Sequence, residues 1–333
     1  MVLQVISLNE VEEKDKVKVD KFIMDSNSNG EFINTIKYLS YHNESWFNDD
    51  SVIVKDVSSG VIKSVMMAAI KKNDDNTIIS HPGTTFSGPI FNGKRNFEEM
   101  EQILELILSY YDKKYKYMEL KIQPNHYSTQ PYQEVEYLLL KIGFRFGFTA
   151  LSNVIDLKKY KEENDFLKLY NQKRRNQVKK SIKESNYTFT RLNNIDENIW
   201  TNMERNIRTK FETNTTHTYN QIVDLHDKFK ENIVPYATYR KDGQYGAFAL
   251  AFKFKNVFHT QYLDLNYELR QEYPNLFLIH TLVKEAISEG FGYFSFGAST
   301  ENGGRDLNLG LYNYKSGFGG GSILLPVYKR KLR

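Results

Sequence analysis

Cysteine is absent from the 333-residue chain, which removes disulfides, thiolate-bound zinc, iron–sulfur clusters and a cysteine nucleophile at once. Proline is scarce at 7 residues and glycine stands at 19, so the chain is neither collagenous nor of low complexity. Charge of one sign is missing too. Lys and Arg number 45 against 41 Asp and Glu, and a dispersed surplus of +4 does not by itself mark a nucleic-acid binder. No window approaches the roughly 20 uninterrupted apolar residues that a membrane helix needs. The first ten residues lack a basic start and reach an acid by Glu10, unlike a secretory signal, so a cytoplasmic location is expected. The basic run Lys329 to Arg333 suits peripheral contact with anionic headgroups, but a short basic tail is more often simply solvated, and that is the expectation here. Gly-x-Gly-x-x-Gly, Gly-x-x-x-x-Gly-Lys-Ser/Thr and Gly-x-Ser-x-Gly do not occur, which demotes dinucleotide, P-loop and serine-hydrolase chemistry.

What is present reads as two domains, the number expected for this length. Helical spacing marks Glu10 to Ser26, Phe32 to Phe47 and Phe97 to Tyr111. Between them, Ser51 to Asp56 and Val61 to Lys71 form a hairpin signature, Thr77 to Gly83 a strand with a Pro-Gly stop, and Tyr117 to Ile122 a further strand. The order recurs. Asp165 to Ser185, Glu197 to Phe211 and Thr218 to Glu231 read as helices, followed by a hairpin of Val234 to Arg240 and Gly246 to Phe254. A strand Asn256 to Leu265, a helix Pro274 to Glu289 and a strand Gly292 to Gly297 complete the set. Helices, hairpin, strand, helix and strand in each half imply an α+β fold with mixed, mostly antiparallel sheets flanked by helices. The change to charged, non-periodic sequence at Ile155 to Glu163 divides the chain into 1–157 and 158–333.

Four segments carry chemistry. Phe294 to Gly321 packs an acid, amides, tyrosines and a lysine among small residues directly after a strand, the composition of an acyl-transfer site. In Val257 to Tyr262, strand alternation places His259 and Gln261 on one face. Along Phe166 to Ser185, the pairs Arg174-Arg175 and Lys179-Lys180 recur about a turn and a half apart, a spacing that reaches several phosphates. The loops Ser80 to Pro89 and Lys121 to Tyr127 follow two strands joined by a helix and so share a sheet edge. They bring His81 and His126 to that edge, but no third ligand at known spacing makes a metal site, and none is assigned.

The run Phe296-Gly297-Ala298-Ser299 through Gly310-Leu311-Tyr312-Asn313-Tyr314-Lys315-Ser316-Gly317-Phe318-Gly319 resembles a motif of tandem GNAT proteins. That motif is the late Phe-Gly-x-Ser…Gly-Leu-x-x-Phe-Lys-x-x-Phe-Gly pattern, and these proteins are related to the Fem-type peptidoglycan bridge transferases. Gln172 to Ser181 resembles their Arg-x-x-(Ile/Val)-(Arg/Lys)-Lys-Ala helix. His259-Thr260-Gln261-Tyr262 and the Ser80-His81-Pro82-Gly83 loop look like a bacterial subgroup named simply acetyltransferases. The matches extend from about Ile78 to Tyr328. The resemblance implies two tandem GNAT-like domains, the first for the acceptor and the second catalytic. It also implies acyl or aminoacyl transfer to an amine of a nucleotide-linked or lipid-linked glycan precursor. In that family the motif lysine lies by the reacting carbonyl, and its match is Lys315, with Tyr314 in place of the phenylalanine. Asn266 to Pro274, where an acetyl-CoA-using GNAT has its glycine-rich pyrophosphate loop, contains no glycine. The co-substrate therefore stands open between acyl-CoA and aminoacyl-tRNA, with no tightly bound cofactor.

Acyl transfer needs an oxyanion donor, a proton for the leaving group and a base for the amine's proton. Lys315 suits the first role, Tyr312 or Tyr314 the second, and Glu301 or His259 the third. Arg174, Arg175, Lys179 and Lys180 are expected on the donor's phosphates, and His81, Gly83, Gln261, Tyr262 and Asn308 on the acceptor. The rival reading is a non-catalytic glycan- or RNA-binding protein built on the same fold.

Overall fold

The structure, a computed structural model, describes residues 2–42, 46–93, 96–147, 149–160, 163–184 and 187–332. The chain divides into two compact units, Met1–Ala150 with Leu324–Arg333, and Leu151–Ile323. Among the described residues no helix is long and apolar enough to cross a membrane.

In the first unit, β1 (Leu3–Ser7), α1 (Glu13–Met24), a one-turn α2 (Ile36–Leu39), β2 (Val52–Asp56) and β3 (Ile62–Met66) are followed by β4 (Ala68–Lys71) and β5 (Asp74–Ser80). Then come β6 (Ile90–Phe91), α3 (Phe97–Tyr111), β7 (Tyr117–Lys121), α4 (Glu134–Lys141), β8 (Arg145–Phe146) and, from the chain's end, β18 (Val327–Lys331). They form sheets of order β1-β2-β3-β6 and β4-β5-β7-β18-β8. Alternation along β2 sends Val52 and Val54 into one core with α3 and Ile53 into another with Val19 and Ile23 of α1, so the first sheet is covered on both faces. Helix α3 forms as its sequence predicts. Asn96 caps Glu99, and Met100, Ile103, Leu104, Ile107, Leu108 and Tyr111 make one buried stripe. The expected helix over Phe32 to Phe47 is instead a 3-10 turn, Phe32–Asn34, and the single turn of α2. Both carboxylate oxygens of Asp20 accept the Ile36 and Lys37 N–H groups, closing that turn from outside. Residues 43–45 lie outside the described residues.

The second unit holds β9 (Ala150–Asp156), α5 (Glu163–Leu167), α6 (Gln172–Glu184), β10 (Tyr187–Arg191), α7 (Glu197–Phe211), α8 (Tyr219–Lys228), β11 (Ile233–Arg240) and β12 (Tyr245–Lys253). After them run β13 (Val257–Leu265), α9 (Pro274–Ser288), β14 (Tyr293–Ala298), the short β15 (Thr300–Glu301) and β16 (Asp306–Leu307), α10 (Leu309–Ser316) and β17 (Gly321–Leu325). Seven strands form one sheet in the order β10-β11-β12-β13-β14-β9-β17. Phe258, Phe294 and Phe296 pack with α6 and α9 on one face. Trp200 of α7 meets Tyr262 edge to face on the other. The basic helix expected over Asp165 to Ser185 is two helices. Asn171 accepts the Arg174 N–H at 2.8 Å and starts α6 afresh, while Tyr170 beside it is buried.

Two expectations are corrected by β18. It pairs antiparallel with β7 and β8, so residues 324–333 belong to the first unit and the division falls at 150/151 instead of 157/158. The basic run at the end is a strand and not a solvated tail, with Lys329 on Glu119 at 3.0 Å. Arg333 lies outside the described residues. Tyr328 is buried between β7 and β8 and donates to Glu136 at 2.6 Å. Tyr328→Ala should lower the unfolding free energy by about 3 kcal/mol in urea titration, as loss of a buried aromatic does. A loss under about 1 kcal/mol would show that β18 is not part of the first unit's core.

Candidate active site

Strands β13 and β14 run parallel, joined by the crossover helix α9. Their ladder lasts only three residue pairs, Val257↔Tyr293, Phe258↔Phe294 and His259↔Ser295. Beyond His259, β13 continues to Leu265 while β14 bulges between Ser295 and Gly297, so the strands part. A sheet that opens at the carboxyl ends of parallel strands offers a ligand crevice beside the start of the crossover helix. In the first unit the corresponding pair, β5 and β7, also spans three residue pairs. There the ends are stitched shut. Ser80 Oγ accepts the Lys121 N–H at 3.0 Å and donates to the Ser87 carbonyl, and the Ser87 N–H reaches the Lys121 carbonyl at 2.7 Å.

Lys315 stands at the open end. It is 7 % exposed, and its Nζ donates to the carbonyls of Gly297 at 3.1 Å and Ala298 at 2.5 Å, the last residues of β14. Among the described residues two of its three N–H donors are used. Burial pushes its pKa down from 10.5 to about 8, while the two carbonyl acceptors favour the charged form. Gly297 has φ +74°, and a Cβ there would lie 3.1 Å from His259 Cε1, so a close approach and a left-handed backbone both call for glycine. Its N–H donates to Ser295 Oγ at 3.2 Å, and Ser295 Oγ lies 3.1 Å from His259 Nδ1. His259, Ser295, Gly297 and Lys315 thus form one connected cluster.

The two candidate tyrosines separate. Tyr314 turns into the core, its OH accepting from Asn275 Nδ2 at 2.8 Å near the start of α9 and its ring under the Arg174 guanidinium at 4.6 Å. Burial raises its pKa to about 12. Tyr312 is half-buried and lies three residues before Lys315 on α10, hence on the lysine's face of the helix. Glu301 is exposed and accepts from Asn308 Nδ2 at 2.7 Å; Asn308 Oδ1 caps α10 through the Leu311 N–H at 2.9 Å. Expected alternation along β13 is broken. A bulge opposite Leu250 and Ala251 gives Gln261 no ladder partner, and His259 shares its face with Tyr262 instead. Tyr262 is buried, with its OH 2.8 Å from His217 Nδ1.

Of the basic residues on α6, Arg174 also donates to the Tyr314 carbonyl, and Arg175 donates to the Lys168 and Tyr170 carbonyls. Lys179 and Lys180 are exposed. The glycine-free segment before α9 is a 3-10 helix, Tyr267–Glu272, capped by Asn266. His81 and Gly83 lie in the first unit, where His81 Nδ1 accepts the Gly83 N–H at 3.1 Å. Among the described residues no group of three or more His, Asp or Glu could hold a metal ion. Ser295 and the β14 bulge escape sequence reasoning; a glycine two residues beyond a strand serine was their one signal.

Residues 170–316 match the family described as the acetyltransferase (GNAT) domain. A structure titled as FemX superposes over 100% of this chain and 98% of its own with a TM-score of 0.67 at 13% identity. The chain has a tandem GNAT-like fold of the Fem type. The same tandem GNAT-like fold links it to a tandem GNAT protein from the clavulanic acid biosynthesis pathway, covering 100% and 99% at TM-score 0.52 and 8% identity. It also links it to the C-terminal domain of a putative lysylphosphatidylglycerol synthetase from Agrobacterium fabrum, covering 85% and 84% at 0.55 and 12%. No curated protein sequence matches the chain.

The lysine makes a signed prediction. Because its folded pKa of about 8 lies below 10.5, the unfolded chain binds more protons between those values, and stability rises with pH across that window. Relative to Lys315→Met, the wild-type protein should gain about 2 kcal/mol in urea unfolding between pH 7.5 and pH 10. A difference that does not change with pH would mean that the ammonium is not buried.

Proposed function

We propose that the chain transfers an acyl or aminoacyl group from an activated thioester or ester onto an amine of a nucleotide-linked or lipid-linked cell-wall or surface-glycan precursor. The observation that carries this reading is the buried ammonium of Lys315 at the open end of β13 and β14. The tandem GNAT-like fold and the acetyltransferase (GNAT) domain over residues 170–316 support acyl transfer. The match of residues 170–316 to the acetyltransferase (GNAT) domain favours acyl-CoA as donor. The synthetase named for lysylphosphatidylglycerol favours an aminoacyl product on a carrier.

In this reading the amine lone pair attacks the acyl carbonyl carbon, forming the new C–N bond and a tetrahedral oxyanion. The remaining N–H of Lys315 donates to that oxygen, without the lysine having to lose its proton. Collapse breaks the bond to the leaving thiolate or ribose oxygen, which takes a proton from the Tyr312 hydroxyl. The amine's proton passes to His259. This role takes the tautomer in which Nδ1–H donates to Ser295 Oγ, which leaves Nε2 as the basic nitrogen. Glu301, exposed and held by Asn308, is the second acceptor for that proton. Lys179 and Lys180 are read as contacts for donor phosphates, and His81 and Gly83 as part of acceptor binding.

The test is label transfer from acyl-CoA or charged tRNA into an extract of nucleotide sugars and lipid-linked glycans, read by mass spectrometry. Lys315→Met should cut transfer by about 10² to 10³ with the fold retained, the loss expected for one oxyanion donor. Tyr312→Phe should slow transfer more than Tyr314→Phe, whereas Tyr314→Phe should cost more stability. No transfer from either donor class would return the protein to the glycan- or RNA-binding reading.

A further inference from the structure

The first unit contains a cavity of 270 Å³ lined in part by His81 and by no residue of the Lys315 cluster. Its described lining is apolar over Leu8, Ile36, Leu39 and Met67, and polar where His42, Asp49 and His81 face it, with Phe47 beside the imidazoles. His81 Nδ1 accepts the Gly83 N–H, so its ring proton sits on Nε2, which points at Asp49 Oδ2 from 3.5 Å. Burial holds the pKa of both His42 and His81 down at about 4, so both rings are neutral near pH 7. Asp49 is fixed in turn. Ser51 donates its N–H at 3.0 Å and its hydroxyl at 2.8 Å to the carboxylate. The next residue, Asp50, is clamped by Tyr110, Lys114 and Tyr115.

The cavity therefore sets one carboxyl group between two neutral rings; burial raises its pKa, and the two Ser51 donors oppose that shift. Among the described residues no Lys or Arg forms an ion pair with Asp49; Lys16, which also lines the cavity and acts on Asp49 through its charge, is paired with Glu13 at 2.7 Å. A carboxylate with two donors in place has lone pairs left for a cation, and aromatic and imidazole faces beside it favour a compact one. A divalent metal is a poorer fit, since no described cluster offers three ligands at metal geometry.

We propose that this cavity binds the protonated amino group of a small organic amine, with Asp49 as the counter-charge, the His81 ring holding Asp49 in place, and Phe47 and the aliphatic floor taking the amine's carbon chain. The inference rests on the reading of His81 and Gly83 as acceptor contacts, and it concerns an amino group held as its ammonium, not the neutral amine that attacks. It concerns binding alone, so it can fail while transfer stands, and transfer can fail while it stands. Gly83 shapes the site. A Cβ there would collide with the His42 ring, and the displaced ring has the cavity to enter.

Calorimetry on the full chain at pH 7.5 with benzylamine and its neutral isostere benzyl alcohol tests this. Benzylamine should bind about tenfold more tightly or better, the worth of a charge-assisted hydrogen bond, and Asp49→Asn should abolish that preference. Gly83→Ala should weaken benzylamine with the carboxylate intact, which keeps the test open if Asp49→Asn does not fold. Equal binding of the two probes, no heat from either, or a preference that survives Asp49→Asn in folded protein would overturn the proposal. So would stoichiometric zinc binding that displaces benzylamine, which would make the cavity a metal site.

Discussion

A lysine ammonium taken out of water and set on two backbone carbonyls organises the second unit. The carbonyls are those of Gly297 and Ala298, where β14 ends, and the lysine comes from α10, so the bond ties the helix to the strand's terminus. Burial pulls the lysine's pKa down to about 8, and the carbonyl oxygens oppose that shift because an ammonium donates to them more strongly than a neutral amine does. The neighbouring features fit around this contact. The bulge in β14 and the left-handed Gly297 turn two carbonyls toward the lysine and let His259 approach, and Asn308 caps α10 so that Lys315 falls in its last turn.

The two units share one local arrangement, with strand ends tied together in the first and apart in the second. Each has a parallel strand pair that lasts three residues and a crossover helix, α3 in the first unit and α9 in the second. In the first unit the two serines, Ser80 and Ser87, fill the gap with hydrogen bonds to Lys121. In the second, β13 and β14 separate past His259 and Ser295. The opening thus depends on a few side chains at the strand ends and not on the order of the elements.

Much of this was legible in the sequence. Apolar spacing along Phe97 to Tyr111 and Glu197 to Phe211 defined those helices to the residue, and alternating runs about Lys241-Asp242-Gly243 defined the β11–β12 hairpin. Lys315 stood out through its motif, although the polar, glycine-rich stretch around it hid the helix α10, whose weak amphipathicity gives no periodic signal. What sequence could not supply were tertiary decisions. The return of β18 to the first unit rests on pairing across some 200 residues, and the bulge at Gln261 broke the period-2 rule that placed it beside His259. The separation of the tyrosines was hidden as well, since a two-residue offset on α10 sends Tyr314 under Arg174 and leaves Tyr312 on the lysine's side.

The role proposed for Lys315 requires its charged form. A ¹³C NMR titration of the Lys315 side chain, assigned by its loss in Lys315→Met and set beside single-turnover transfer rates at saturating substrate, tests that claim most directly. The resonance should titrate with a midpoint near the pKa of about 8 that burial imposes, and the rate should fall with the same midpoint as pH rises. A transfer rate that keeps climbing from pH 8 to pH 10 while Lys315 loses its proton would contradict it.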